Sequence, residues 1–442
     1  MRIHKHSAVA AVAAMLGSLS LLGAGASQAA ADDTSVALPS ASFRDIVVDG
    51  VHDRVFISDP TGGSVVVTDY AGAVVKQITA EDGAMGLALS ADSGKVYVAL
   101  SSVGAISEID TGTLTETNRY ATGADTSPQS LATAGGKLWF GYTVGSSGGI
   151  GSLDISVADP TATLVPSGIY WYYAPSLASS PADPDVLVAG QEGVSPATLA
   201  VYDATSTGLE KRTERLFTSS PSISYLNDFA VTADGQNIVL AANNPSDHQV
   251  VRMSDLSANG SYSSWTFPNA VAVASDGTVA TGASDYFVRT YRPGSFIPLH
   301  DLSVNDLQPD GLAWAPDDNR LFAVSAFSTG GAPTLHVLPD AGKVESTLTV
   351  QAPSTTAKGK TLTVTGRLTA DEPFAAGTTV EVTRTDAESP NGTSLGSFPV
   401  SMGDFSFTDR PRTAGQATYT VRFAGDVQHT AATTEAVVTV TK

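Results

Sequence analysis

The chain has 442 residues, more than one ordinary core accommodates, so two domains are expected. Acidic residues outnumber basic ones 44 to 24, a formal net charge of −20, which argues against nucleic acid as a partner. Cysteine is absent, which excludes disulfides, thiolate metal sites, thiol nucleophiles and a lipid-bearing N-terminal Cys.

Residues 1–29 open with Arg2 and Lys5, continue through an apolar Ala- and Leu-rich run to about Ala26, and end in small residues before Asp32 and Asp33. That order is a secretory signal peptide. Its removal leaves 22 basic residues against 44 acidic ones, a net charge near −22. No later apolar stretch reaches the roughly 18 residues a membrane span needs. The expected product is secreted and extracellular, held at the cell surface, if at all, by binding.

From about residue 42 to residue 342 the sequence repeats. The clearest copy runs from Gly86 to Leu100 and on through Gly104 to Leu114. It reads as an apolar strand, an Asp/Gly turn, a second apolar strand, a loop, and an alternating third strand closing on Asp110-Thr-Gly. Second strands begin at Val55, Val96, Leu138, Val186, Ile238, Val279 and Leu321, in steps of 41, 42, 48, 52, 41 and 42 residues. An Asp closes the third strand at Asp69, Asp110, Asp154, Asp203, Asp255 and Asp340; the sixth unit has Arg292-Pro-Gly there. Such an Asp accepts backbone hydrogen bonds from the following turn, so its recurrence is structural. Seven units of four strands predict a seven-bladed β-propeller of WD40-like build over residues 33–344, since one blade cannot bury both its faces and a closed ring can. Two segments compete to complete the last blade: residues 35–39, which would tie the N-terminus to it, and residues 343–347.

These quoted residues resemble the repeats of the YVTN family of bacterial β-propellers, whose units join an apolar strand, Ser-x-Asp-Gly, a Val-Tyr-Val strand and an Ile-Asp-Thr ending. The match is close in the second unit and loose elsewhere. The resemblance implies the fold and brings no common active site.

Within the repeats, Gly145-Ser-Ser-Gly-Gly149 fits a nucleophile-elbow pattern but falls between two strands, so a hairpin turn is expected. Outside the leader, His52, His248, His300, His336 and His429 have no ligand spacing and are expected at the surface or in hairpins. Asp317-Asp-Asn319 reads as a hairpin turn. The run Tyr170, Trp171, Tyr172, Tyr173 precedes the fourth blade, and four adjacent rings cannot share one core because strand neighbours alternate sides. Some of them are expected at the surface, where rings stack on sugars, peptides or apolar faces; the alternative is packing under a long loop.

Equivalent positions at the start of each innermost strand form a ring around the channel mouth: Arg44, Met85, Gln129, Pro175, Asn227, Asn269 and Asp310, with Asp45 and Asp228 adjacent. Arg44 and Gln129 with the oxygens of Asn227, Asn269 and Asp310 are the ligand-binding candidates. The last three are the candidate Ca²⁺ ligands; no other cofactor is expected. The competing reading has these side chains capping strand ends and bonding channel water.

From about residue 345 to residue 442 the pattern shifts to longer Thr- and Val-rich strands, seven in about a hundred residues, which predicts an immunoglobulin-like β-sandwich. Residues 358–366 and 418–429 resemble the Ig-like domains of exported actinobacterial proteins, which implies a spacer or adhesion module. The antibody Cys pair is missing, so Tyr419, Val421 and Phe423 are expected to fill the core. The whole is read as an all-β, non-catalytic monomer that recognises an extracellular protein, peptide or carbohydrate at its loop face. A metal-dependent lactonase or esterase using the mouth oxygens is the second reading.

Overall fold

The computed structural model describes residues 33–442 except 124, 265, 285, 286, 328 and 329; the leader lies outside the described residues. Every regular element among them is a β-strand. The chain divides into two compact units, one of Ala30–Val344 and one containing Glu345–Lys442.

In the first unit, seven consecutive four-stranded antiparallel sheets follow one another. Their first strands are Ile46–Asp49, Ala84–Leu89, Thr126–Ala134, Ser176–Ser179, Ser224–Val231, Pro268–Val273 and Leu307–Trp314. Each first strand packs against the first strand of the next sheet, and the seventh packs against the first, so these strands close a ring. Burial falls from the middle of each sheet outward. In the first sheet Val55, Phe56, Ile57 and Val65 to Val67 are wholly buried, whereas the outermost strand of the second, Thr115–Ala121, is largely exposed. Central strands are covered on both faces by adjacent sheets, which is why they are written as continuous apolar runs instead of alternating ones.

Seven clusters of buried side chains occupy the seven junctions between neighbouring sheets. Phe56, Val67, Leu87 and Val98 join the first sheet to the second, Trp139 meets Trp171 and Tyr202 at the third junction, and Ala270 and Ala280 make room for Trp314 at the sixth. No sheet has a core of its own; stability resides in the junctions. The recurrent Asp behaves as a turn acceptor: Asp69 takes the amides of Ala71 and Ala73, Asp110 that of Thr113, and Asp255 that of Ser257. Gly145 and Ser146 form the tip of a hairpin in which Val144 pairs with Ser147.

The seventh sheet differs in chain order. Its outer strand is Thr34–Ala37, antiparallel to Thr334–Pro339 with Thr34 opposite Val337 and Ala37 opposite Thr334. Of the two competing segments, the N-terminal one completes this sheet. The amide of Leu38 extends the ladder to the Pro333 carbonyl at 2.8 Å, and its side chain, 2 % exposed, sits among Ile57, Phe322 and Leu335.

The second unit pairs a three-stranded sheet with a five-stranded one. In the latter, Thr355–Ala357 runs parallel to the last strand, Ala432–Thr441. Tyr419, Val421 and Phe423 are all buried in its core, and the Tyr419 hydroxyl donates to Asp409 at 2.8 Å.

Two outcomes are expected. Because residues 34–38 close the seventh sheet, Leu38→Ala should cost about 2–5 kcal/mol, and deleting residues 33–38 should lower the melting temperature further; equal melting of the deleted and full chains by calorimetry would show that closure lies elsewhere. Because all seven junction clusters lie before Glu345, a chain of residues 33–344 should unfold cooperatively alone, and aggregation of that fragment under conditions where the full chain is monodisperse would refute the division.

Candidate functional site

The inner strands converge on the ring axis with no further strand beside them, so their amides need other acceptors. Five of these strands break register near their start, between Ala84 and Leu87, Pro128 and Ser130, Leu226 and Asp228, Pro268 and Ala270, and Leu307 and Leu312. A bulge re-aims the residue it extrudes. The extruded residues include Met85, Gln129, Asn227, Asn269 and Asp310, the positions aligned from sequence.

The bulges direct side chains to the neighbouring sheet. The Asn227 amide donates to the Pro268 carbonyl at 2.7 Å and to Asn243 at 2.8 Å, and the Asn269 amide donates to the Leu307 carbonyl at 2.8 Å. One position further on from the aligned residues, three junctions are tied by side-chain acceptors. Asp45 accepts the Leu87 amide at 2.7 Å, the Ser130 hydroxyl accepts that of Leu177 at 2.9 Å, and Asp228 accepts that of Val271 at 2.7 Å. In the second sheet the equivalent residue is Gly86, where a Cβ would stand 2.8 Å from the Gln129 carbonyl oxygen. The backbones approach too closely there for any side chain.

Arg44 spans this ring. Its guanidinium pairs with Asp310 of the seventh sheet and, at 3.1 Å, with Glu192 on the loop after the second strand of the fourth. The Ser176 hydroxyl bonds the same Glu192 carboxylate. Beside the guanidinium lies a cavity of about 190 Å³, whose walls include Arg44, Asp45, Gln129, Ser176, Asp228 and Asp310. Asp310 and then Glu192 and Asp45 raise the Arg44 pKa, opposed by burial, so the cation is held charged. Burial and the Asp310 charge push Asp45 up to about 7. Burial raises Glu192 against the pull of Arg44, and burial with the adjacent Asp310 raises Asp228 well above the carboxylate range. With one guanidinium among these carboxyl groups, Asp45, Glu192 and Asp228 keep their protons to higher pH than free carboxyls do.

Of the candidate ligands, Arg44, Gln129 and Asp310 line the cavity, and Asn227 and Asn269 are not among its lining residues. No group of three or more His, Cys, Asp or Glu among the described residues is arranged to hold a metal. The histidines depart from expectation at two positions: His248 and His429 are each only 1 % exposed, His248 bonding the Ala270 carbonyl and His429 the Asp426 carboxylate. Glu192 escaped the repeat alignment because it lies in a loop of the enlarged fourth unit, off the periodic positions.

The aromatic run splits. Trp171 is buried and donates to the Ser167 hydroxyl at 3.0 Å, whereas Tyr170, Tyr172 and Tyr173 are 65 %, 59 % and 59 % exposed. The Tyr170 and Tyr172 rings meet edge to face at 5.0 Å. Gln191 accepts the Tyr172 amide at 2.8 Å, so the residue before Glu192 anchors the aromatic loop. In every sheet the first strand starts where the second ends, as Ser224 opposite Asn244 illustrates. At that end of the ring lie Tyr170, Tyr172, Tyr173, Tyr225, Phe267 and Phe327, six of the seven exposed aromatic side chains in the first unit's described residues; Phe296 is at the other.

Solved structures give the chain its neighbours. It is similar to hydrazine synthase of Kuenenia stuttgartiensis (TM-score 0.54, 16 % identity, 69 % of this chain and 97 % of that one). It is similar to the Cps50 (Swd1) β-propeller domain of Myceliophthora thermophila (0.52, 13 %, 69 % and 98 %) and to U3-55K (0.55, 14 %, 70 % and 98 %). No known family profile matches, nor does any curated protein sequence. At such identities the likeness carries fold alone: a WD40-like β-propeller.

The retained protons give a test. An acid whose pKa is raised on folding stabilises least at high pH: its contribution is neutral below about pH 4 and becomes more unfavourable as pH climbs toward the folded value. In Asp228→Asn the amide can still accept from Val271 and donate to Asp310, so the variant should melt above wild type by an increment growing from pH 5 to pH 8, roughly 3 °C or more at the upper end. Parallel melting curves across that range would show that Asp228 is not held protonated.

Proposed function

We propose that this is an exported bacterial binding protein, with residues 1–29 as its secretory leader and no catalytic role. The seven four-stranded sheets are the blades of a YVTN-type propeller, and the C-terminal unit is an Ig-like spacer or adhesion module. The parallel pairing of Thr355–Ala357 with Ala432–Thr441, in a sheet apposed to a three-stranded one, supports the latter reading.

The observation that carries the function is the gathering of exposed rings at one end of the ring of sheets. Solvated apolar side chains scattered singly need no explanation; six aromatic ones crowded on the loops of one face, and one on the other, mark an interaction surface. Tyr170, Tyr172 and Tyr173 make no core that would require them there, and their loop is anchored by buried Trp171 and by the bond from the Tyr172 amide to Gln191. The partner is an extracellular protein, peptide or carbohydrate, bound by a monomer. Arg44 neutralises Asp310, the one charged member of the candidate Ca²⁺ ligand set, and Asn227 and Asn269 do not line the cavity beside it, which favours binding over the hydrolase reading.

Combining Tyr170→Ala, Tyr172→Ala and Tyr173→Ala should leave the melting temperature unchanged, since all three rings are solvated. Retention of the mature protein by wall fragments and secreted proteins of the producing bacterium should fall at least about tenfold, as three exposed rings at roughly 0.5–1 kcal/mol each would give. Phe296→Ala, on the opposite end, should retain full binding. Undiminished retention of the triple variant would remove the loop face as the binding surface.

A further inference from the structure

We infer that Asn391, in the second unit, is a site of spontaneous covalent modification: its side chain closes onto the Gly392 nitrogen, and the residue ends as aspartate and isoaspartate. The inference stands apart from what the loop face of the first unit binds.

The chain contains two Asn-Gly pairs, Asn259-Gly260 and Asn391-Gly392. In such a pair the glycine nitrogen lies open to the preceding carboxamide, because no side chain stands in the way. The two pairs are held differently. Ser389–Pro399 is an edge strand of the five-stranded sheet, antiparallel to Thr379–Asp386. Arg384 faces Thr393 and Asp386 faces Ser389, so Pro390, Asn391 and Gly392 all stand opposite the single residue Thr385. The ladder therefore gives neither Asn391 nor Gly392 a partner. Asn391 is exposed, and no protein group among the described residues hydrogen-bonds its carboxamide. At Asn259 the carboxamide donates to Asn237 Oδ1 at 2.7 Å, which ties it to another strand of the fifth sheet. The glycine of the freer pair is also required: φ is 87° at Gly392, and a Cβ there would stand 2.6 Å from Thr383 Cγ2.

The reaction needs only the chain and water. The Gly392 amide nitrogen gives up its proton and attacks the Asn391 Cγ. The N–Cγ bond forms, the Cγ–Nδ2 bond breaks, and the carboxamide nitrogen leaves as ammonia with that proton. Water then opens the succinimide: attack at Cγ gives aspartate, and attack at the main-chain carbonyl gives isoaspartate, whose backbone runs through the side chain and is one methylene longer. Either product carries a new negative charge. A residue already extruded from an edge strand absorbs the added methylene, whereas a paired position would lose register. The second unit thereby acquires a charge that grows with the age of the molecule.

The test uses the full mature chain, residues 33–442, held folded at pH 6 and at pH 8, then digested with trypsin and read by mass spectrometry. The peptide from Thr385 to Arg412 contains no other Asn and no Gln, so its acid-for-amide mass gain reports Asn391 alone. That peptide should convert, faster at pH 8, where more of the Gly392 nitrogen is deprotonated, and should separate by chromatography into aspartate and isoaspartate forms. Asn259 should convert roughly fivefold more slowly, the factor imposed by a hydrogen bond that must break first. Asn237→Ala, which removes the acceptor, should raise the Asn259 rate toward that of Asn391, and in guanidinium, where both pairs lose their surroundings, the two rates should be equal. Asn391→Gln should leave the Thr385–Arg412 peptide unmodified. An intact Asn391 in the folded chain, alongside conversion in guanidinium, would overturn the inference by showing that the sheet protects the pair. Conversion of Asn259 as fast as Asn391 in the folded chain would overturn the claim that extrusion from the ladder is what exposes this site.

Discussion

The constraint on which this molecule depends is the unpaired inner edge of each sheet. Seven first strands face one axis with no fifth strand to pair with, and what they present there includes backbone N–H groups, which require acceptors. The chain meets this requirement with side chains from the preceding sheet: Asp45 for Leu87, Ser130 for Leu177 and Asp228 for Val271. Asn227 and Asn269 serve the complementary need by donating to carbonyls of the following sheet. The ring is therefore sewn at its narrowest circumference by polar bonds and filled further out by the seven apolar clusters.

An electrostatic consequence follows from using carboxylates as acceptors near a common axis. Asp45 and Asp228 approach Asp310 and Glu192 in a partly dry space, where like charges repel far more strongly than in water. Two remedies are visible. Burial and mutual repulsion keep protons on Asp45, Glu192 and Asp228 to higher pH than usual, and Arg44 reaches across the ring to pair with Asp310 and Glu192. Arg44 is a strut made necessary by the staples, and the loop that supplies Glu192 is drawn inward by it. That same loop contributes Gln191 to the Tyr172 amide and Val194 to the Tyr225 amide at 2.8 Å, so the exposed tyrosines of the fourth and fifth sheets are positioned from the axis.

The sequence made the repeat legible because its signals are local. An apolar run between Asp/Gly turns reports a buried strand, and the second strands start within one residue of the positions read from the 41- to 52-residue spacing. The recurrent Asp was equally legible, since its partners lie two to four residues away. Alignment also found the mouth positions, yet it could not say what each side chain would face. The bulge that extrudes Asn227 turns its amide toward Pro268, about forty residues downstream, and no local pattern encodes that register shift. Glu192 was invisible for the opposite reason, lying off the period altogether. His248 looked like a hairpin residue from its neighbours, and only the approach of the next sheet buries it.

The division of roles at the mouth bears on where a partner sits. Tyr225 and Asp310 hold left-handed backbone angles of 58° and 54°, conformations that cost a non-glycine residue about 1 kcal/mol or more and persist only where surroundings over-determine them. At Asp310 the surroundings are the Arg44 pair, and a ligand that displaced it would leave partly buried carboxylates without their cation. At Tyr225 the backbone is fixed by Val194 while the ring, 49 % exposed, remains in solvent. The Arg44 pairs at the axis tie the chain's first sheet to the fourth and the seventh, and the rim presents an exposed aromatic surface. A partner gains from the second without disturbing the first, so contact across the rim is energetically favoured over insertion into the channel.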